Sequence, residues 1–195
     1  MIEWVRNIPL VILAGCSIIQ LLNINWRVNI IALFVQYGAV FWLILYQYSP
    51  GLAAIKLLTG WMACALISSS HSIVHSDQER QSISGLVFQG ITGLFCWALV
   101  FSIAPSIQAW LPGNDATIIG GSGLFVIGLL LLGMNSAPIR VVIGLLTVFS
   151  GFEILYSNVE ASVLVTGLLF ITNIGLSLVG VFALNMSNLH NTEIK

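Results

Sequence analysis

Charge is what this sequence has least of. Lysine and arginine number 6 and aspartate and glutamate 7, together 7% of 195 residues, where a soluble domain carries about 25%. So small a set cannot cover a water-facing surface, and a net charge of −1 gives no electrostatic basis for binding nucleic acid. Cysteine is scarce too. Cys16, Cys64 and Cys96 are odd in number and lie inside apolar runs, so they read as small packing residues rather than disulfides or metal ligands. No phosphate-binding glycine loop, nucleophile elbow or haem motif occurs. Nothing reads as a catalytic centre, and no cofactor is expected. The one metal-like spacing is His71 and His75 at i, i+4 near Asp77 and Glu79. Such a pair binds zinc when its segment is helical, but without a cysteine it is a weak candidate, and loop histidines are ordinarily solvated.

What the chain has in abundance is long hydrophobic runs. Hydrophobic residues make up 58% and mean hydropathy is +1.02. A membrane-crossing helix needs about 20 apolar residues, and seven such runs are present: Ile8–Leu22, Val28–Tyr46, Gly51–Ser70, Gly85–Ile103, Thr117–Met134, Ile139–Tyr156 and Ala161–Leu184. The expected fold is therefore all-α, a polytopic membrane bundle of about seven transmembrane helices in contact with the lipid bilayer. Turn residues separate the runs. "QYSPG" carries a Ser-Pro-Gly turn, "HSIVHSDQERQSIS" is the polar loop, and "APSIQAWLPGNDA" suits a short interfacial segment. The first run has an acidic residue before it and no small-residue cleavage site after it, which reads as a retained helix rather than a signal peptide.

Seven spans put the termini on opposite sides. The N-terminal side collects Arg6 alone, and the other side Arg27, Arg80, Arg140 and Lys195. The positive-inside rule then predicts an outer N-terminus and a cytoplasmic C-terminus.

Polar residues within the spans carry the most information, because each must find a partner inside the membrane. Helical spacing places Gln36 on one face with Asn29, Ala32 and Ala39, and Gln89 with Gly85, Thr92, Gly93 and Cys96. Asn173 shares a face with Thr166, Ser177 and Gly180. Stripes of small residues are where membrane helices approach closely, so Gln36, Gln89 and Asn173 read as buried interhelical contacts. Lys56 shares a face with Thr59, Gly60 and Ala63, and Glu153 with Ser150 and Ser157. Lys56 lies six residues past Pro50, about 9 Å into the span. Three readings stand open for it: snorkelling to the surface, a buried ion pair with Glu153, or a place in an ion path.

The stretches "GLLLLGMNSAPIRVVIGLLTVFSGFEILYSN" and "LLFITNIGLSLVGVFAL" resemble a known family. It comprises the K-type membrane subunit of the proton-pumping NADH:quinone oxidoreductases, the C-type membrane subunit of the multisubunit sodium/proton antiporters, and the E-type membrane subunit of energy-converting hydrogenases. The resemblance covers about a third of the chain. Its motif positions fall on Arg140, Gly144 and Leu145 in one helix and on Gly175 and Leu176 in the next. It implies a division into an N-terminal four-helix region (residues 1–116) and a K-like three-helix region (117–195). It also implies larger antiporter-like membrane subunits as partners, in a bacterial plasma membrane or another energy-transducing membrane. The two glutamates that serve the family's proton path would fall at Leu146 and Ile171, and both are absent.

The expected function is that of a non-catalytic membrane subunit of a respiratory-complex-, hydrogenase- or antiporter-like assembly, contributing to proton translocation or to assembly of the membrane arm. Lys56 and Glu153 are the residues for any charge movement. The alternative is a self-contained small transporter or a helical scaffold. A transporter would show an internal repeat, and none is evident between the halves.

Overall fold

A computed structural model describes residues 2–23, 25–45, 47–71, 83–134, 137–159 and 162–193, with side chains for 7–23, 25–45, 47–69, 84–134, 137–159 and 162–186. Every regular element among them is an α-helix: α1 (Ile2–Leu22), α2 (Trp26–Ile44), α3 (Pro50–His71), α4 (Ile83–Gln108), α5 (Asp115–Met134), α6 (Pro138–Ser157) and α7 (Val163–Glu193). Six of the seven, α2 to α7, are long and apolar enough to cross a membrane, and the apolar part of α1, Asn7–Leu22, is shorter. The chain is an integral membrane protein built as a polytopic helical bundle.

Helix ends follow local chemistry. Pro50 opens α3, and Pro138 opens α6, where a missing N–H costs nothing. Asp115 sits in the first turn of α5, the end that favours a negative charge. The start of the expected interfacial segment, residues 104–108, continues α4, which runs through Pro105 to Gln108, and residues 109–114 then form the turn before α5. Hydropathy marks only the lipid-crossing part of a helix, whereas the backbone continues hydrogen-bonding past it. A proline within a membrane helix is tolerated when neighbouring groups satisfy the freed carbonyl.

The helices form two rows of three, with α1–α2–α3 beside α5–α6–α7. Neighbours in the chain touch within each row, and α1 meets α5, α2 meets α6 and α3 meets α7 across the rows. The helix α4 lies against α1 and α5 at one end. The most extensive contact joins α5 and α6, whose glycines recur every seven residues on facing sides (Gly121 and Gly128, Gly144 and Gly151). A Cβ at Gly128 would stand 2.6 Å from the backbone nitrogen of Val148, and one at Gly151 2.5 Å from that of Phe125. Only glycine allows backbones this close.

Lipid-facing surfaces are apolar, as the exposed Val87, Phe88 and Ile91 of α4 and Leu164, Leu168 and Ile171 of α7 show. Cys16 and Cys64 are buried, and all three cysteines are free thiols.

Candidate functional site: a buried charge pair and its polar neighbours

The broad inner face of α6 carries Arg140, Thr147, Ser150, Glu153 and Ser157, all buried. From Arg140 to Ser157 is about 25 Å at 1.5 Å per residue, close to the hydrocarbon thickness of about 30 Å. The helix thus lays a polar strip through most of the membrane depth, and other helices supply its partners.

Lys56 of α3 and Glu153 of α6 form an ion pair through Nζ and Oε2, and their side chains are 6% and 2% exposed. Lys56 therefore does not snorkel. The small stripe seen in the sequence explains why: Thr59, Gly60 and Ala63 are buried with it, so its face meets protein rather than lipid. The pair is under-saturated. Beyond this contact the ammonium finds no hydrogen-bond acceptor, and Glu153 Oε1 finds no donor, among the described residues. A lone charge in hydrocarbon is costly by at least about 2.5–3.5 kcal/mol, so each group depends on the other. A carboxylate with one oxygen engaged and one open has the valence to accept a proton or hold a small cation.

Tyr37 of α2 borders the pair. Its hydroxyl donates to Asn173 Oδ1 of α7 at 3.2 Å, and Ser150, which donates to the Leu146 carbonyl, lies beside it. Its ring covers Gly60, where any Cβ would overlap the aromatic carbons. Deeper along α6, Gln20 of α1 donates through Nε2 to Gln36 Oε1 of α2 at 2.7 Å. Thr147 points its hydroxyl at Gln20 Oε1 (3.2 Å) and at the Ile143 carbonyl (2.8 Å), sharing one proton between them.

Each end of the strip is tied to a turn. Arg140 Nη2 donates to the Asn23 carbonyl at 2.5 Å, and Asn29 Nδ2 donates to the same oxygen at 2.9 Å. At the other end Asn158 Oδ1 accepts from Gln47 Nε2 at 2.7 Å and from Thr117 Oγ1 at 2.9 Å.

The sequence-predicted residues are thus distributed unevenly. Lys56, Glu153 and Asn173 gather around Tyr37, and Gln36 joins the neighbouring amide cluster. Arg140 holds a turn instead. Gln89 is buried on α4 with its Oε1 unpartnered among the described residues, away from the strip. Of the motif positions, Gly144 packs against Leu131 and Leu132 of α5, while Gly175 has open space beside it. Leu146 is fully buried and Ile171 faces outward. The metal candidate His71 and His75 lies outside the described side chains, and the described residues hold no cluster of three metal-ligating groups. Sequence reading passed over Gln20, Tyr37, Thr147 and Asn158. Gln20 was findable by the rule that picked out Gln36, a lone amide in an apolar run. Tyr37 carries no such signal, because membrane tyrosines are commonest at the interfaces.

Comparison with protein-family models, curated proteins and solved structures finds no match to this chain.

Proposed function

We propose that the protein is a non-catalytic integral membrane subunit of a respiratory-complex-, hydrogenase- or antiporter-like assembly, and that Lys56 and Glu153 handle a proton or small cation within its interior. The observation that carries this reading is the open oxygen of Glu153, buried beside a lysine with Tyr37 nearby. A pair kept only for stability would serve better with both oxygens engaged, since buried ion pairs offset their desolvation only when their remaining valences are satisfied. The motif resemblance around Arg140 and Gly144 supports antiporter-like neighbours. The count of arginines supports an outer N-terminus and a cytoplasmic C-terminus. With Leu146 and Ile171 in place of the family carboxylates, Glu153 takes the role: it lies seven residues after Leu146, two turns along the helix.

One observation favours a second reading, a self-contained transporter or scaffold: Lys56 finds its counter-charge within this chain rather than in another subunit. The separating experiment is to tag the C-terminus, solubilise native membranes in mild detergent and identify the co-purifying proteins by mass spectrometry. Recovery with large antiporter-like subunits supports the subunit reading. Recovery as a lone monomer or homo-oligomer removes it in favour of the second.

A further inference from the structure

The two rows of helices are numbered alike. An interval of 113 residues separates the start of α1 at Ile2 from that of α5 at Asp115, and the start of α3 at Pro50 from that of α7 at Val163. The interval from α2 at Trp26 to α6 at Pro138 is 112. Each cross-row contact, α1 with α5, α2 with α6 and α3 with α7, therefore joins helices at matching places along the chain. With that offset, Arg-Val-x-Ile-x-x-Leu-x-Val-x-x-Gly runs from Arg27 to Gly38 and again from Arg140 to Gly151, six identities in twelve positions. The repeat was not evident from the halves as a whole because their first and third helices share little beyond apolarity.

Burial supports the same correspondence. Six equivalent pairs on α2 and α6 are buried in both copies, from Asn29 and Val142 to Ile44 and Ser157. Outside that shared face the two helices differ in a telling way. The α2 helix additionally buries Ala32, Gln36, Ala39 and Leu43, and α6 additionally buries Arg140, Gly144, Thr147, Gly151 and Ile154. At 100° per residue these stripes lie on opposite sides of equivalent helices. Leu43 is nearest to Gly120 of the second row, and Thr147 reaches Gln20 of the first. Opposite extra faces are what two units laid side by side in the same direction require. Three intervening helices in alternating directions give that same direction.

We infer that the chain is a tandem duplication of one three-helix unit joined through α4, and that the Lys56–Glu153 site belongs to the seam between the copies, so that neither unit contains it alone. At the equivalent places the copies are apolar: Leu169 stands where Lys56 does, and Val40 where Glu153 does. Each charge thus stands in one copy only, at a position the other copy fills with an apolar residue. Tyr37 and Ser150, equivalent to each other, lie close together next to the pair, and the equivalents Gly60 and Asn173 both touch Tyr37, one at its ring and the other at its hydroxyl. Ion sites at the interface between repeats are a habit of transporter folds. That ion-handling role rests on the function proposed above, whereas the duplication does not.

The test uses the full-length chain in lipid vesicles, with its native cysteines replaced by serine and single spin labels at lipid-facing equivalents. Ile55 and Leu168 form one such pair, Leu58 and Ile171 the other; all four are exposed. Depth relative to the bilayer, read from collision with oxygen and a water-soluble nickel chelate, should agree within each pair to about one helical turn, roughly 5.4 Å. It should also change in the same sense from the first pair to the second. A larger mismatch or an opposite trend overturns the duplication, and neither result depends on ion flux. The seam is tested by restoring the repeat residues together, Lys56→Leu with Glu153→Val. Unfolding near the wild-type temperature is expected, and failure of this variant to fold overturns the view that the two charges replace apolar repeat residues at the seam.

Discussion

Glu153 of α6 reaches Lys56 of α3 although the backbones of these two helices make no contact. The pair spans a diagonal of the four-helix group α2, α3, α6 and α7, and both side chains extend into the space those helices enclose. Two charges there have no substitute partners in lipid, and that dependence can be measured.

Removing one member leaves the other buried and unpaired, at a cost of about 3–5 kcal/mol. Lys56→Leu and Glu153→Leu should each destabilise the protein strongly, while the two combined should recover most of the loss. Unfolding in mixed detergent by intrinsic tryptophan fluorescence reads all three variants. A loss in the double variant equal to the sum of the two single losses would show that the two charges are not coupled.

Gly60 accommodates the ring of Tyr37. Gly60→Ala should cost about 1–3 kcal/mol through overpacking, whereas Gly175→Ala, with open space around it, should be near neutral. Thermal denaturation of the two variants side by side decides, and similar melting temperatures would remove the close approach of α2 and α3.

The contact between α5 and α6 is backbone against backbone. Gly151→Ala and Gly128→Ala should each lower stability more than Gly133→Ala, which meets nothing within 4 Å, because a backbone cannot rotate out of the way as a side chain can. Stability in detergent is again the readout. A Gly133 effect as large as the others would count against this packing.

Hydrogen bonds in the amide cluster are weaker levers. Gln20→Leu removes the bond to Gln36 and the acceptor for Thr147. Membrane interhelical bonds average about 0.6 kcal/mol, so a loss of roughly 1 kcal/mol is expected for the two. Tyr37→Phe, losing the bond to Asn173, should cost about half as much. A double-mutant cycle of Gln20 with Gln36 measures the first directly, and a coupling of zero would break the cluster into unrelated residues.

Much of the architecture is readable without tertiary information. Helix number and approximate ends follow from apolar runs near 20 residues, because the membrane sets a length and each backbone must satisfy its own hydrogen bonds locally. Spacing of small residues around Gln36, Lys56, Glu153 and Asn173 tells which faces turn inward, because periodicity is a property of one helix. The continuation of α4 past Pro105 was missed because hydropathy measures lipid preference and not helicity.

Partnership is a different kind of fact. That Lys56 meets Glu153, that Gln20 and Thr147 meet, and that Tyr37 lies between Gly60 and Asn173 depends on how seven helices arrange around one another. Residues some 100 positions apart in the chain are brought together there by packing, and no local pattern encodes the distance between them. By itself the sequence turned Gln36, Lys56, Glu153 and Asn173 toward protein, because each sits on the close-packing stripe of its own helix, while leaving open whether Lys56 snorkels. Only the tertiary structure decided which of them share a site, because the choice of neighbour is settled by glycine-lined helix contacts and the side-by-side placement of the two rows.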